Sequence, residues 1–293
     1  MTDTSPEDIV TIYAVTGAGG HLGSLVVQEL LARGVPAGDV VAVARTPQKA
    51  EDLSGRGVQV RRGDYTDPAS LRAAFDGVDR LLLVSGDAVG QRFAQHANVV
   101  DAARESGVSA IAYTSLTRAD TSPLALAPEH RRTEELLAGS GLPYTVLRNN
   151  WYLENYTDRA AEYLARGEIL SATGTGRIGA AARRDLAGAA AVVLTTDGHD
   201  GRTYELAGPP LTLTELAATL SEVSGRQVAH RAVPAAELVA ALTAAGLDEA
   251  TAGFVAAMDE AIAGGALDIE SSDLADLLGR APTPVADVLR AAL

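Results

Sequence analysis

Cysteine is absent from the 293 residues, which removes disulfides, thiolate metal sites, iron–sulfur clusters and cysteine nucleophiles together. Lysine is nearly absent: Lys49 is the sole one. Aromatic residues make up only 4% of the chain, and 24 basic residues face 38 acidic ones for a formal charge of −14. A field of that sign repels polyphosphate backbones and acidic membrane surfaces, so neither nucleic acid nor membrane is expected as a partner. No apolar run approaches the roughly 18 residues that cross a bilayer. The opening MTDTSPEDIV carries acidic residues and a proline where a secretion signal needs a basic end and an apolar stretch. A cytoplasmic protein is expected, with no metal site. Hydrophobic residues are plentiful at 47%, enough to fill one large globular domain or two interleaved ones.

The first half alternates short β-rich runs with helical patterns. IVTIYAVT (9–16), VVAVAR (40–45), VQVRRGD (58–64), RLLLVSG (80–86), SAIAYTS (109–115) and PYTVLRN (143–149) read as strands. The stretches 22–34, 68–75, 90–106 and 129–139 read as helices. Apolar strands separated by helices of that length imply a parallel sheet covered on both faces, because parallel strands need crossover connections. The fold class is therefore α/β, a Rossmann-like doubly wound parallel sheet. After residue 150 the pattern loosens: NWYLENYTDRAAEYLARGEI reads as a helix leaving the sheet, and from 212 the chain is mostly helical. The expected division places a nucleotide-binding domain at 1–150, with 177–205 returning to it. A smaller, mainly helical lobe is expected from 206–293 together with 151–176.

VTGAGGHLGS, residues 15–24, sits where the first strand hands over to the first helix. Gly17, Gly20 and Gly23 let a pyrophosphate approach unpaired amides at the positive end of the helix dipole, which points to a dinucleotide. The end of the second strand selects which one. An acidic side chain there would hold the ribose hydroxyls of NAD, whereas this chain has Arg45 in VAVARTPQK with Lys49 nearby, a pattern for the 2′-phosphate of NADP(H). A solvated charge at a strand end is the plainer alternative for Arg45. Asp64 and Tyr65 are expected to flank the adenine, and Ser85 and Gly86 the sugar and phosphates. Asp67, ahead of Pro68, reads as a helix cap.

Many reductases on this fold use a tyrosine with a lysine four residues on. Lys49 is the only lysine and Arg45 stands four residues before it, so that pair cannot form. The stretch APEHRRTEELLAGSGLPYTVLRNNWYLENY occupies its place. The glycine loop, the strand-end arginine, EHRRTE and above all LRNNWYLENY resemble the NmrA-like branch of atypical short-chain dehydrogenases, within it the NADPH:quinone reductase type with its LRNxWYxENY element. The likeness extends through RRDLAGAAAVVL (183–194), LTLTELAATLSEVSGR (211–226) and DLLGRAPTPVADVL (276–289). It implies NADPH at the glycine loop and a quinone-like small molecule bound between the lobes. By position, Gly17, His21, Leu22, Gly23 and Arg45 would hold phosphates, and Asn149, Asn150, Trp151 and Tyr152 would line the nicotinamide end. The same branch contains NADP-responsive regulators without turnover. A pathway-specific reductase or isomerase is a further alternative.

A site without the tyrosine–lysine pair suits a quinone. Reducing a ketone makes a strongly basic alkoxide, whereas reducing a quinone makes a phenolate-type oxygen whose conjugate acid has a pKa of roughly 10. Tyr152 and Asn155 are the expected acceptor contacts, with Tyr156 left to packing on the face it would share with Tyr152 in a helix. His130 either passes a proton or is an exposed neighbour of a helix cap. Ser115 and Tyr113, ending a strand, face the crevice by position. Arg148, Arg184 and Asp185 are expected in structural ion pairs, and GRAPTP as a proline-stiffened tether. A homodimer is compatible with all of this.

Overall fold

The computed structural model describes residues 10–293; Ile9, with which the first expected strand begins, and the acidic opening lie outside the described residues. The strands are β1 (Tyr13–Val15), β2 (Val40–Ala44), β3 (Gln59–Arg62), β4 (Arg80–Leu83), β5 (Ala110–Leu116), β6 (Tyr144–Asn149), β7 (Glu168–Ser171), β8 (Arg177–Ile178), β9 (Thr203–Leu206), β10 (Leu211–Thr212) and β11 (Ala229–Ala232). Seven form one sheet in the order β3-β2-β1-β4-β5-β6-β9. The pairs β1–β2, β1–β4, β2–β3 and β4–β5 are parallel, with Ala14 opposite Val41 on one side and Leu81 on the other. All five residues of β2 are buried, as a strand covered on both faces requires. The order reverses direction between β1 and β4, and in such sheets ligands bind beyond the strand ends at that point.

Contact density divides the chain into two units: 1–114, 132–146 and 190–202 in the first, and 115–131, 147–189 and 203–293 in the second. This differs from the expected boundaries. β5 and β6 each begin in the first unit and end in the second, so 115–131 leaves the nucleotide-binding half and 177–189 does not return to it. The first unit packs Leu71, Phe75, Leu81, Leu83, Ile111 and Leu137 into one core, joined by Tyr113. Its first helix, His21–Ala32, buries Leu22, Gly23, Val26, Val27 and Leu30 along one stripe. The second unit has its own core around Leu153, Ile169, Leu213, Leu216, Met258 and Ile262.

The segment expected as one helix after residue 150 is instead two short ones, Glu154–Thr157 and Ala160–Arg166, followed by β7. Gly167, at φ 70°, closes the second of them in the left-handed conformation. β7 then pairs parallel with β11, and β8 antiparallel with β10, so this half is less purely helical than its composition suggests. The expected cap at Asp67 is present: its carboxylate accepts the Ser70 N–H. Among the described residues no helix is long and apolar enough to cross a membrane.

Candidate functional site

The glycine turn carries the first part of the site. Gly17 adopts φ +62°, and a Cβ on Gly23 would lie 2.4 Å from the Gly17 carbonyl oxygen, so one position needs the left-handed conformation and the other needs bare backbone. Gly20 caps the helix with no side-chain hydrogen bond, and the first turn contains no acidic residue. The amides of His21, Leu22 and Gly23 stand at the helix start, where intrahelical acceptors do not exist. With no side-chain cap among the described residues, such a helix start is an anion cradle. Arg45 and Lys49 are both exposed, and the Lys49 Cβ packs 3.0 Å from where a Gly19 Cβ would stand. Lys49 is thus at the turn itself.

Asp64 and Tyr65 are more constrained than the sequence suggests. Asp64 Oδ1 accepts both the N–H and the hydroxyl of Thr66, and these bonds, then the charges of Arg45 and Arg62, hold its carboxyl below the ordinary range against the opposing effect of burial. The Tyr65 phenol lies 2.6 Å from Thr16 Oγ1 and 2.7 Å from the Val84 carbonyl. Burial pushes it well above the tyrosine range, so it acts as a neutral strut. Its ring packs against Gly86, whose Cβ would meet Tyr65 Cδ2 at 3.6 Å.

The turn after β4 spends its amides on side chains. The Val84 N–H donates to Thr16 Oγ1 (3.0 Å), the Ser85 N–H to Thr114 Oγ1 (2.9 Å) and the Gly86 N–H to His96 Nε2 (3.0 Å). Because Nε2 accepts, the His96 proton sits on Nδ1, 3.0 Å from Thr133 Oγ1. His96 is fully buried, and desolvation with the Arg92 charge lowers its pKa to about 3. The Arg92 Nε–H donates to the Gly86 carbonyl. Sequence reading missed Thr16, Thr114 and His96; the one local signal was a hydroxyl residue immediately before the first glycine. Tyr113, expected at the crevice, is a correction: it is fully buried and edge-on to His96 at 5.3 Å, because its alternate neighbour Thr114 is the one that reaches Ser85.

The second unit holds Ser115, His130, Asn149, Asn150, Trp151, Tyr152 and Asn155. Ser115 and His130 are buried, each 5% exposed. The helix Ala127–Gly139 begins ahead of His130, so His130 lies within it and is no exposed cap neighbour. Asn150 spends its amide on backbone, Nδ2 donating to the Leu267 carbonyl (3.2 Å) and Oδ1 accepting the Trp151 N–H (2.7 Å). Asn149 differs. Its Oδ1 is buried with no hydrogen-bond partner among the described residues.

Tyr152 precedes the short helix and forms an isolated bridge with Ala181, so it does not share a helix face with Tyr156. The Arg183 guanidinium lies 5.1 Å from its ring centre. Burial raises the Tyr152 pKa, and the polar Asn149 side chain and the Arg183 charge act against that rise. Asn155 is exposed, and Tyr156 packs against the second unit's core. The structural ion pairs are Arg148 with Glu205 (3.1 Å) and Asp185 with Arg280 (2.6 Å). Asp185 is fully buried and also accepts the Thr283 N–H, so GRAPTP supplies it with partners. Among the described residues no cluster of metal-ligating side chains occurs.

A family model described as NAD(P)H-binding matches residues 17–197, and the chain belongs to that family. It is 47% identical over 277 residues, 94% of this chain and 96% of the other, to quinone oxidoreductase 2 of Escherichia coli K12. The crystal structure of that enzyme in complex with NADPH superimposes with a TM-score of 0.91 over 95% of this chain and 98% of its own. An NmrA-like family domain-containing oxidoreductase of Aspergillus flavus is 31% identical across 95% of this chain and 94% of its own. Triphenylmethane reductase of Citrobacter sp., solved with NADP(H), is 42% identical with a TM-score of 0.92 over 96% of this chain and 100% of its own. The resemblance read from LRNNWYLENY therefore holds over nearly the whole chain, and the chain is an NAD(P)H-dependent oxidoreductase of NmrA-like, Rossmann-like type.

Proposed function

We propose that the protein is an NADPH-dependent reductase that passes hydride directly to a quinone or a similar conjugated carbonyl, with no flavin and no tyrosine–lysine pair. The carrying observation is the glycine turn: a helix start with no side-chain cap, no first-turn carboxylate, and two exposed cations, Arg45 and Lys49, at the strand end and the turn. The orphaned Asn149 Oδ1 is the matching feature of the second unit, a buried acceptor suited to the N–H of a nicotinamide carboxamide. These residues fit the cofactor. His21, Leu22 and Gly23 would hold its pyrophosphate through backbone, Arg45 and Lys49 its 2′-phosphate, and Asn149 its carboxamide.

When bound, NADPH supplies a hydride. The chain's own task is then to position the acceptor and deliver one proton. Tyr152 Oη keeps its proton near neutral pH because burial disfavours the phenolate. In this reading Tyr152 Oη is the group that passes its proton to the phenolate-type oxygen, with the Arg183 charge beside its ring easing the release. Asn155 and His130 belong to the same reading as acceptor contacts. The E. coli relative's name supports the quinone as acceptor, and a soluble cytoplasmic setting agrees with the charge of −14.

Steady-state oxidation of NADPH with a panel of small quinones tests the reading. Turnover is expected, and tight NADPH binding without turnover on any acceptor would favour an NADP-responsive regulator. Arg45→Ala should weaken NADPH about tenfold or more, the scale of one charge-assisted hydrogen bond, and leave NADH nearly unchanged. Equal losses for the two cofactors would remove Arg45 from the phosphate site.

A further inference from the structure

The second unit contains a cavity of ≈ 200 Å³ walled by Trp151, Tyr156, Tyr163, Phe254 and Met258. The reductase reading shares with it only Trp151 and Asn155. Trp151 and Tyr156 pack against the second unit's core, and burial pushes the Tyr156 phenol well above the tyrosine range, so the wall is neutral there and offers its rings as contact area. Such a lining suits a flat apolar body.

The charged residues around the cavity are mutually occupied, with one exception. Arg159 binds Glu162 through two nitrogens at 3.0 and 3.1 Å and lies over the Tyr163 ring. Arg166 reaches the same Glu162 carboxylate, and Glu168 is paired with Arg231 at 3.0 Å. Asp259 also lines the cavity. Its Oδ2 accepts the Ala172 N–H at 2.8 Å, and among the described residues it forms no ion pair, although the charge of Arg159, already bound to Glu162, favours its ionised form. Holding one backbone N–H needs only a carbonyl oxygen, which asparagine would provide without the cost of burying charge. A carboxylate adds a negative charge, and burial holds the Asp259 carboxyl above its ordinary range, as for an ion that water serves poorly.

We propose that this cavity binds a flat aromatic molecule bearing a protonated amine, with the ring against Trp151, Tyr156 and Phe254 and the ammonium on the Asp259 carboxylate. The aromatic faces reinforce the choice, since their quadrupole also attracts cations. Binding here requires no cofactor, so its test is independent of the reductase reading even though the cavity shares Trp151 and Asn155 with that site.

Trp151 is the only tryptophan in the chain, so its fluorescence reports on this cavity. Purified protein without cofactor would be titrated near neutral pH with 4-biphenylmethylamine, 4-biphenylmethanol and 4-biphenylcarboxylate, three molecules of one shape and different charge. The amine should bind about tenfold or more tightly than the alcohol, as expected of a charge-assisted contact, and the carboxylate more weakly than either. Asp259→Asn, which can keep the Ala172 bond, should bring the amine to the affinity of the alcohol. Phe254 is 41% exposed, so Phe254→Ala should fold normally by circular dichroism and weaken the amine and the alcohol several-fold alike. The proposal fails if the amine shows no preference over the alcohol, if the preference survives Asp259→Asn, if Phe254→Ala leaves both affinities unchanged, or if none of the three ligands alters the emission.

Discussion

The turn after β1 and the turn after β4 follow neighbouring parallel strands of the first unit, yet they treat their backbone amides in opposite ways. The glycine turn uses Gly20 N–H on Gly17 and Ala18 N–H on Val43, and leaves the helix start uncapped by any side chain. In the other turn, three successive amides end on Thr16, Thr114 and His96, and the carbonyls of Val84 and Gly86 are taken by Tyr65 and Arg92. Unpaired donors at a helix start attract an anion and are satisfied when it binds. Donors already satisfied have nothing left to offer and serve to hold the chain still. Ser85 and Gly86, expected beside the sugar and phosphates, would therefore act there through the Ser85 hydroxyl or through shape.

That contrast can be broken most forcefully at Gly23. An alanine Cβ would fall 2.4 Å from the Gly17 oxygen, 2.7 Å from its carbonyl carbon and 3.0 Å from Ala18 Cα. These are backbone atoms that no rotamer change can move aside. Gly23→Ala should cost about 1–3 kcal/mol of stability by overpacking, and because relief requires opening the cradle, NADPH affinity should fall by about two orders of magnitude, near 2.7 kcal/mol. Calorimetric titration beside thermal denaturation measures both. Wild-type affinity in the variant would mean that the amides are not the anion site.

The second turn is tested through His96. Its folded pKa of about 3 lies below the ordinary 6.5, so the unfolded chain takes up a proton at mildly acid pH that the folded chain refuses. The stabilisation is complete above about pH 6.5 and is lost as pH falls toward 3, at up to ~1.4 kcal/mol per pH unit. His96→Leu should leave the Gly86 N–H unsatisfied, costing about 1–3 kcal/mol at neutral pH, and should flatten the slope of stability between pH 6.5 and 4. Urea denaturation of both proteins across that range gives the comparison, and parallel slopes would show that His96 titrates normally.

These two turns were also unequally legible. Gly17, Gly20 and Gly23 announce themselves because the demand for bare backbone is local and recurs at a spacing set by one strand and one helix. His96 sits in a helix of mixed polarity, RFAQHANVVDAARE, and its partners are Gly86 and Thr133, the latter 37 residues away; nothing in the local pattern marks it. The same holds for β7, which depends on pairing with Ala229–Ala232, and for Tyr152, which sits in a bridge to Ala181 where a helix was expected. Asp185 was half legible: its burial follows from a carboxylate in an alanine-rich helix, but its arginine comes from Arg280, 95 residues on. The short-range devices of phosphate binding can be read from sequence, whereas the long-range ones that stiffen the site need the fold.

The smallest expected effect sharpens the comparison most. Thr114 is buried, 2% exposed, and its Oγ1 accepts the Ser85 N–H. Thr114→Val preserves the shape and removes the acceptor, so the Ser85 amide is orphaned at a cost of about 1 kcal/mol or somewhat more. Thr114→Ser keeps the acceptor and gives up a methyl group, so it should recover the hydrogen bond while losing some packing. If the second turn is a scaffold, both variants should change unfolding midpoints by modest amounts and leave the NADPH dissociation constant within about twofold, a free-energy difference of ~0.4 kcal/mol. Should Thr114→Val bind NADPH more tightly than wild type, the freed amide would be reaching the cofactor, and the two turns would differ only in which side chains stand in for the ligand.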